Sequence, residues 1–356
     1  MDRQRPFSRK GMLGAAILVV GCALTGRIEA QPSVQVVMSG LDNPRGMAFG
    51  PEGALYVAEA GRGGPGPCQI IVPPDGPACF GLTGAVSRLW KGEQTRVVSS
   101  LPSSVTATGQ ANGPNDISFL GRGGALLTIG SGGHPALRAG WGPGGELFGT
   151  LLQLAASGQW RVVSDIAAEE ELANPDGGFV DSNAFGVLAL PGERLVADAG
   201  ANALVSIKAN GVASTVAVFP ARASGRSTDA VPTDVVVGPD GAYYVSELTG
   251  VPFAAGAANV YRVAAGQVPV VFQGGFKTAI DLDFGPDGSL YVLEHATGPA
   301  FFGGPGRIVR VAPDGTRSVV YGGLNRPTSL LVVDGGVYVT NNGISVGTGE
   351  VLFIQQ

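Results

Sequence analysis

Hydrophobic and polar residues alternate in short runs along most of the chain, and Gly, Pro, Asp and Asn cut the runs at close intervals. A period of two predicts half-buried strands, and the polar breaks predict tight turns between them. The pattern is clearest at 49–57 (FGPEGALYV), 237–245 (VGPDGAYYV) and 284–292 (FGPDGSLYV). Each segment reads as a strand, a turn through Pro-Asp/Glu-Gly, and a second strand of aromatic and β-branched residues. Weaker copies at 119–128, 188–196 and 331–339 bring the count to six. A third strand follows each copy, at 84–89, 149–154, 203–207, 258–263, 306–311 and 349–354. Fourth strands follow five of them, at 96–98, 161–163, 214–218, 268–272 and 318–321. The sixth copy runs out of chain at Gln356, while 34–38 reads as a strand without a partner of its own. Pairing the two ends completes the last sheet and leaves a closed ring.

The residues two beyond each Tyr-Val-type strand are Glu59, Gly130, Asp198, Glu247, Glu294 and Asn341, spaced by 71, 68, 49, 47 and 47. A period near 47 suits one four-stranded propeller blade. The two long gaps hold insertions at 62–83 and 132–147. The expected fold is therefore all-β, a six-bladed β-propeller of four-stranded blades forming one domain over 31–356. Two packed β-sandwiches would need a linker near the middle, and the sequence contains none.

Composition narrows the function classes. The 58 Gly and 25 Pro among 356 residues disfavour a helical bundle, and 44% apolar residues disfavour disorder. A net charge of −5 with no basic stretch past the N-terminus argues against a nucleic-acid partner. Residues 2–10 carry four positive charges and one negative, an apolar run follows to about Gly26, and Ala30 ends a small-residue boundary. That is the layout of a signal peptide over 1–30, and it predicts an exported protein, periplasmic or extracellular. Val19-Val20-Gly21-Cys22 offers the alternative of a lipid tether through Cys22. No later run is apolar enough to span a bilayer. Cys68 and Cys79 remain as an even pair in a Pro/Gly-rich stretch, and an oxidising compartment favours a loop-stapling disulfide. Metal ligation is the competing reading of the two cysteines, without CxxC-like spacing or a neighbouring histidine.

Several motifs in the mature region resemble the ScyD/ScyE family of exported bacterial propellers. They include Gly63-Gly64 with Cys68 and Cys79, Gly113-Pro114-Asn115-Asp116-Ile117, Asp198-Ala199-Gly200-Ala201-Asn202 and Glu247-Leu248-Thr249-Gly250-Val251-Pro252-Phe253. Where that family reads Asn-Pro-Tyr-Gly, this chain has Asn183-Ala184-Phe185-Gly186, which keeps the aromatic body and drops the hydroxyl. The resemblance implies an exported propeller without an established reaction. A wider likeness extends to NHL-repeat and gluconolactonase-type propellers, without a clear first-blade Glu-Gly-Pro ligand motif.

Two columns of the repeat are rich in carboxylates although only 14% of the chain is charged. The inner-strand column pairs Arg45-Gly46, Asn115-Asp116, Phe185-Gly186, Thr233-Asp234, Ile280-Asp281 and Thr328-Ser329. With Asn183 these positions mark a binding mouth at the rim of the channel. The second column supplies Glu59, Asp198, Glu247 and Glu294, an oxygen set suited to a divalent cation, calcium or similar. A metal there could polarise an ester or lactone carbonyl. The opposing reading makes both columns hydrogen-bonding clasps that hold the ring. His134, in the second insertion beside Trp141, and His295, after Glu294, are the two histidines and join the mouth candidates. His134 could serve as the base of a quinone-dependent sugar dehydrogenase, or else is a solvent-exposed loop histidine. No Gly-x-Ser-x-Gly elbow supports a serine hydrolase. Phe80 and Trp141 on the insertions suit stacking on a sugar face, or else packing on the blades. Glu169-Glu170-Glu171 reads as a short solvated helix before the Asn174-Pro175-Asp176-Gly177 turn. The leading expectation is a monomeric binding protein for a small molecule, glycan or peptide. The alternatives are a metal-dependent hydrolase or lactonase and a docking platform built on 62–83.

Overall fold

Gly53, Gly241 and Gly288 adopt φ of +83°, +76° and +78°, a left-handed conformation that disfavours any residue with a Cβ. Each donates its amide to the carbonyl of the glycine three residues earlier, which closes the turn. Register follows: Phe49 faces Leu55, Val237 faces Tyr243 and Phe284 faces Leu290. These hairpins are the inner pairs of blades in the computed structural model, which beyond Met1 describes residues 32–71, 76–121, 124–223, 227–299 and 302–356. The signal peptide expected over 1–30, with Cys22, lies outside the described residues.

Six antiparallel blades form the ring. The first blade has Pro44–Phe49, Leu55–Glu59, Pro77–Trp90 and Glu93–Thr106, from the axis outward. The second has Pro114–Phe119, Ala125–Ile129, Thr150–Leu154 and Trp160–Asp165, and the third Ala184–Leu190, Glu193–Asp198, Ala203–Lys208 and Ala213–Val218. The fourth has Pro232–Val237, Tyr243–Glu247, Ala258–Val263 and Val270–Phe276, and the fifth Ala279–Phe284, Leu290–Glu294, Gly306–Val311 and Arg317–Leu324. The sixth takes Leu330–Val333, Gly336–Asn341 and Gly349–Gln355 from the C-terminus and its outer strand, Val34–Leu41, from the N-terminal side. Val34 faces Ile354 and Val36 faces Leu352, so the ring closes as the orphan strand predicts.

A blade cannot bury both its faces alone, and the core is accordingly distributed between blades. Val86 and Leu127 share a cluster across the first and second blades, Leu151 and Val196 share one across the next pair, and Leu204 joins the cluster of Val245. The circuit continues with Val260 and Val292, then Ile308 and Val339, and ends where Met38 and Val351 pack with Val57.

The insertions depart from plain loops. Residues 62–83 extend the first blade: Cys68–Ile70 pairs with Pro77–Trp90, and Cys68 stands opposite Cys79, to which it is disulfide-bonded. The second insertion folds into short 3-10 turns, Pro135–Trp141 and Gly145–Leu147. Among the described residues no helix is long and apolar enough to cross a membrane.

Candidate functional site

The second strand of each blade ends at the rim where the inner strand begins, so the markers Glu59, Asp198, Glu294 and Asn341 meet the loop that enters their own blade. Glu59, fully buried, accepts hydrogen bonds from the Asp42 amide (2.7 Å), Ser87 Oγ (2.6 Å) and the Arg96 guanidinium. Glu294 accepts from the Lys277 amide (2.6 Å) and from Arg307. Asp198 accepts from the Asn183 amide (2.7 Å), Ser182 Oγ and the amides of Gly200 and Ala201. Asn341 plays the same part for the Asn325 amide (2.8 Å), and Glu247 accepts from the Asn259 amide (3.0 Å). The four acids are spread over four blades, each engaged with backbone of its own blade. Among the described residues no three Asp, Glu, His or Cys side chains group closely enough to hold a metal.

The inner Asp column reaches the other way, to the next blade. A bulge breaks the register just after each of these inner strands begins, between Pro114 and Asp116, Pro232 and Asp234, and Ala279 and Asp281. Asp116 Oδ2 then accepts from the Val187 amide (2.7 Å), Asp234 Oδ2 from Leu282 (3.5 Å) and Asp281 Oδ2 from Leu330 (3.3 Å). Asp283 repeats the tie one step along, to Val332 (2.8 Å). Close approach makes small neighbours obligatory, since a Cβ on Gly46 would overlap the Asp116 side chain. Burial in the channel raises Asp116, Asp234 and Asp281 above the ordinary carboxylate range, Asp234 to about 7. For Asp116 and Asp281 the neighbouring channel carboxylates push in the same direction.

Above this column a cavity of about 170 Å³ opens at the mouth, with walls from all six blades. Arg45, Asn115, Asn183 and His295 of the expected mouth residues meet there. Arg45 donates to the carbonyls of Gly343 and Ala111, and desolvation lowers its guanidinium to about 10. Among the described residues no carboxylate pairs with it. Asn115 Nδ2 donates to Asn183 Oδ1 (3.3 Å) and the Ala184 carbonyl (3.1 Å). His295 Nδ1 lies 2.8 Å from the Pro327 carbonyl, which can only accept, so this nitrogen carries the proton and Nε2 keeps its lone pair. Burial, with Arg326 and Arg45 nearby, lowers His295 to about 4 and leaves it neutral near pH 7.

Other expected groups lie apart from the cavity. His134 Nδ1 caps the 3-10 turn by accepting from the Ala136 amide (3.1 Å), and its ring packs against Phe179. Phe80 and Trp141 are buried with Phe148 in the core between the first two blades, so the expectation that they stack on a ligand gives way to packing. A further cavity of about 210 Å³ lies between those blades, walled by Ile117 and Phe119 from the core cluster and by Tyr56, Glu52 and Arg88, with the Tyr56 hydroxyl donating to Glu52 (2.5 Å). Leu248, Phe302 and Ile344 line the mouth from loops outside the repeat, where no column marks them. Phe302 is fixed by Phe253 (ring centroids 4.2 Å apart) and by the edge of His295 (5.1 Å). Glu170 corrects the reading of 169–171 as a wholly solvated run: it is 2% exposed. Burial and the charges of Asp198, Asp176 and Asp181 raise it to about 8.

No family model matches the chain, and no match was found among curated proteins. Among solved structures, virginiamycin B lyase from Staphylococcus aureus aligns with a TM-score of 0.52 at 12% identity, over 92% of this chain and 100% of that one. A glucose dehydrogenase aligns at 0.53 and 15% identity, over 91% and 100%. Regucalcin, a calcium-binding protein from Agrobacterium tumefaciens, aligns at 0.52 and 12% identity, over 92% and 95%. At such identities the likeness is one of fold, and the chain is similar to these proteins as a six-bladed β-propeller.

Proposed function

We propose that the chain is an exported, monomeric propeller that binds a small anionic molecule, the size of one sugar acid or one amino acid, at the mouth of its channel. The observation that carries this reading is Arg45, a buried guanidinium on the cavity wall with carbonyl partners and no described carboxylate beside it. An uncompensated charge away from water is unfavourable, and a ligand carboxylate would offset it through charge-assisted hydrogen bonds. Arg326, stacked over Phe302 at 5.8 Å, adds to the positive field although the chain is acidic overall. Neutral His295 supplies an acceptor for a hydroxyl or ammonium, and Phe185 and Phe302 supply apolar faces. A volume of about 170 Å³ is below the roughly 300–1,000 Å³ of drug-sized sites. A glycan or peptide would therefore insert a single terminal unit.

Binding is favoured over turnover because, among the described residues, Arg45 and His295 are the ionisable side chains on the wall and no second acid–base group stands beside His295 there. The metal-dependent hydrolase remains the second reading. Its carboxylates, Glu59, Asp198, Glu247 and Glu294, already accept hydrogen bonds from backbone amides, which a cation would have to displace. The Cys68–Cys79 disulfide supports an oxidising compartment. Kinship with ScyD/ScyE proteins forms part of this proposal and rests on the Glu247–Phe253 motif and the cysteine loop.

Isothermal titration with a panel of aldonates and amino acids against the matching neutral sugars tests the reading. Anions should bind at least about tenfold more tightly, a preference of roughly 1.4 kcal/mol. Arg45→Gln should abolish that preference, and Phe302→Ala should weaken binding with little change in stability. Equal affinity for neutral and anionic members, or unchanged anion affinity in Arg45→Gln, refutes it.

A further inference from the structure

The helix Ile166–Ala173 turns Glu170 inward on the face of Ile166 and Ala167, one turn away. Among the described residues neither carboxylate oxygen of Glu170 has a hydrogen-bond partner of normal geometry, although the Asp181 amide lies nearby. Asn174, which closes the helix in a left-handed conformation (φ +37°), repeats the pattern. Its Nδ2 donates to the Gly178 carbonyl, and its Oδ1 is buried without a partner among the described residues. Three orphaned oxygens thus project from positions four residues apart at the C-terminal end of a helix, where the helix dipole favours a cation. The strongest charges acting on Glu170 are all negative, from Asp198, Asp176 and Asp181.

We propose that Glu170, Asn174 and Asp181 hold a hard divalent cation, calcium foremost, which ties the loop 174–183 to the helix. The donors are all oxygen, with no imidazole or thiolate among them, the chemistry that calcium selects with six to eight ligands. Asp198 and Asp176 contribute field rather than ligation. Asp198 is taken up by Ser182 and three amides, and Asp176 by the Gly178 amide and Asn202 Nδ2. Asp181 has no such ties among the described residues, and the charges of Asp198, Asp229 and Asp176 act on it. Among the described residues no three acidic side chains stand in chelating positions, so main-chain carbonyls of the loop and water would complete the shell. The site is separate from the mouth, and none of its ligands lines that cavity.

Calcium chloride titrated into the EDTA-treated full chain provides the test, read by isothermal titration and differential scanning calorimetry. The expected Kd is about 10⁻⁴ M, at the tight end of the range for extracellular modules. At 10 mM calcium the melting temperature should then rise by about 3–5 °C. Glu170→Gln keeps the shape and removes the charge, and it should weaken calcium binding at least about tenfold and erase the shift. Asp181→Asn, in an exposed-side loop, should do the same and carries the test if Glu170→Gln does not fold. No calcium-dependent shift in the parent protein, or undiminished calcium affinity in the folded variants, overturns the proposal.

Discussion

Replacing Asp234 by Asn is expected to stabilise the protein at alkaline pH and to do little in acid. The Asp234 carboxyl faces the channel, where desolvation is the main cause of its rise to about 7. The amides of Val235 and Leu282 and the side chain of Asp281 hold that rise in check. An unfolded Asp titrates near 3.9. Between those values the folded protein keeps a proton that the unfolded chain has released, so this group's contribution to stability falls as pH rises from about 4 through about 7. A gap of about three pH units corresponds to at most about 4 kcal/mol. Asp234 is only half-buried, and we therefore expect about 1–3 kcal/mol. Asparagine retains an oxygen for the Leu282 amide and gains an NH₂ that can donate to Asp281. Urea unfolding at pH 3 and pH 8 should show Asp234→Asn within about 0.5 kcal/mol of the parent in acid and more stable by about 1–3 kcal/mol in base. A difference independent of pH, or destabilisation at pH 8, would refute the account.

Glu59→Ala strips the Asp42 amide, Ser87 and Arg96 of their shared acceptor in a fully buried position, and a loss of about 3–5 kcal/mol is expected from the urea midpoint. A metal-binding role alone would leave metal-free stability unchanged. Gly186→Ala should cost about 1–3 kcal/mol by the same assay, because its Cβ would come within 2.7 Å of the Asp234 Cα and the Thr233 carbonyl. Unaltered unfolding of that variant would show that the third and fourth blades do not press together at this point.

The architecture was largely legible in the sequence because its determinants are local. Pro-Asp/Glu-Gly turns need a left-handed glycine, and alternation of period two sets which side chains face the neighbouring blade. The unpaired strand at 34–38 and the missing fourth strand at the C-terminus pointed to the same closure, which the Val34–Ile354 register realises. The two cysteines pair, yet their stretch forms a strand hairpin and not the loop its Pro/Gly content suggested. Glu170 was half-legible, since helical spacing from Ile166 and Ala167 could have flagged an inward face.

What the repeat could not decide was the use of each polar column. A carboxylate on a strand end is a ligand or a clasp according to which amide comes within 3 Å of it. Those amides belong to segments 15–17 residues away for Glu59, Asp198 and Glu294, or to another blade for Asp116, Asp234 and Asp281. The mouth was half visible for the same reason. Arg45, Asn115, Phe185, Ile280 and Thr328 share one column of the repeat, whereas Leu248, Phe302 and Ile344 arrive on loops of unrelated sequence that only closure of the ring brings to one cavity. Local chemistry writes the strands and turns, but burial and charge at the axis are properties of the assembled circle, because six separate segments must converge before water is excluded from any one of them.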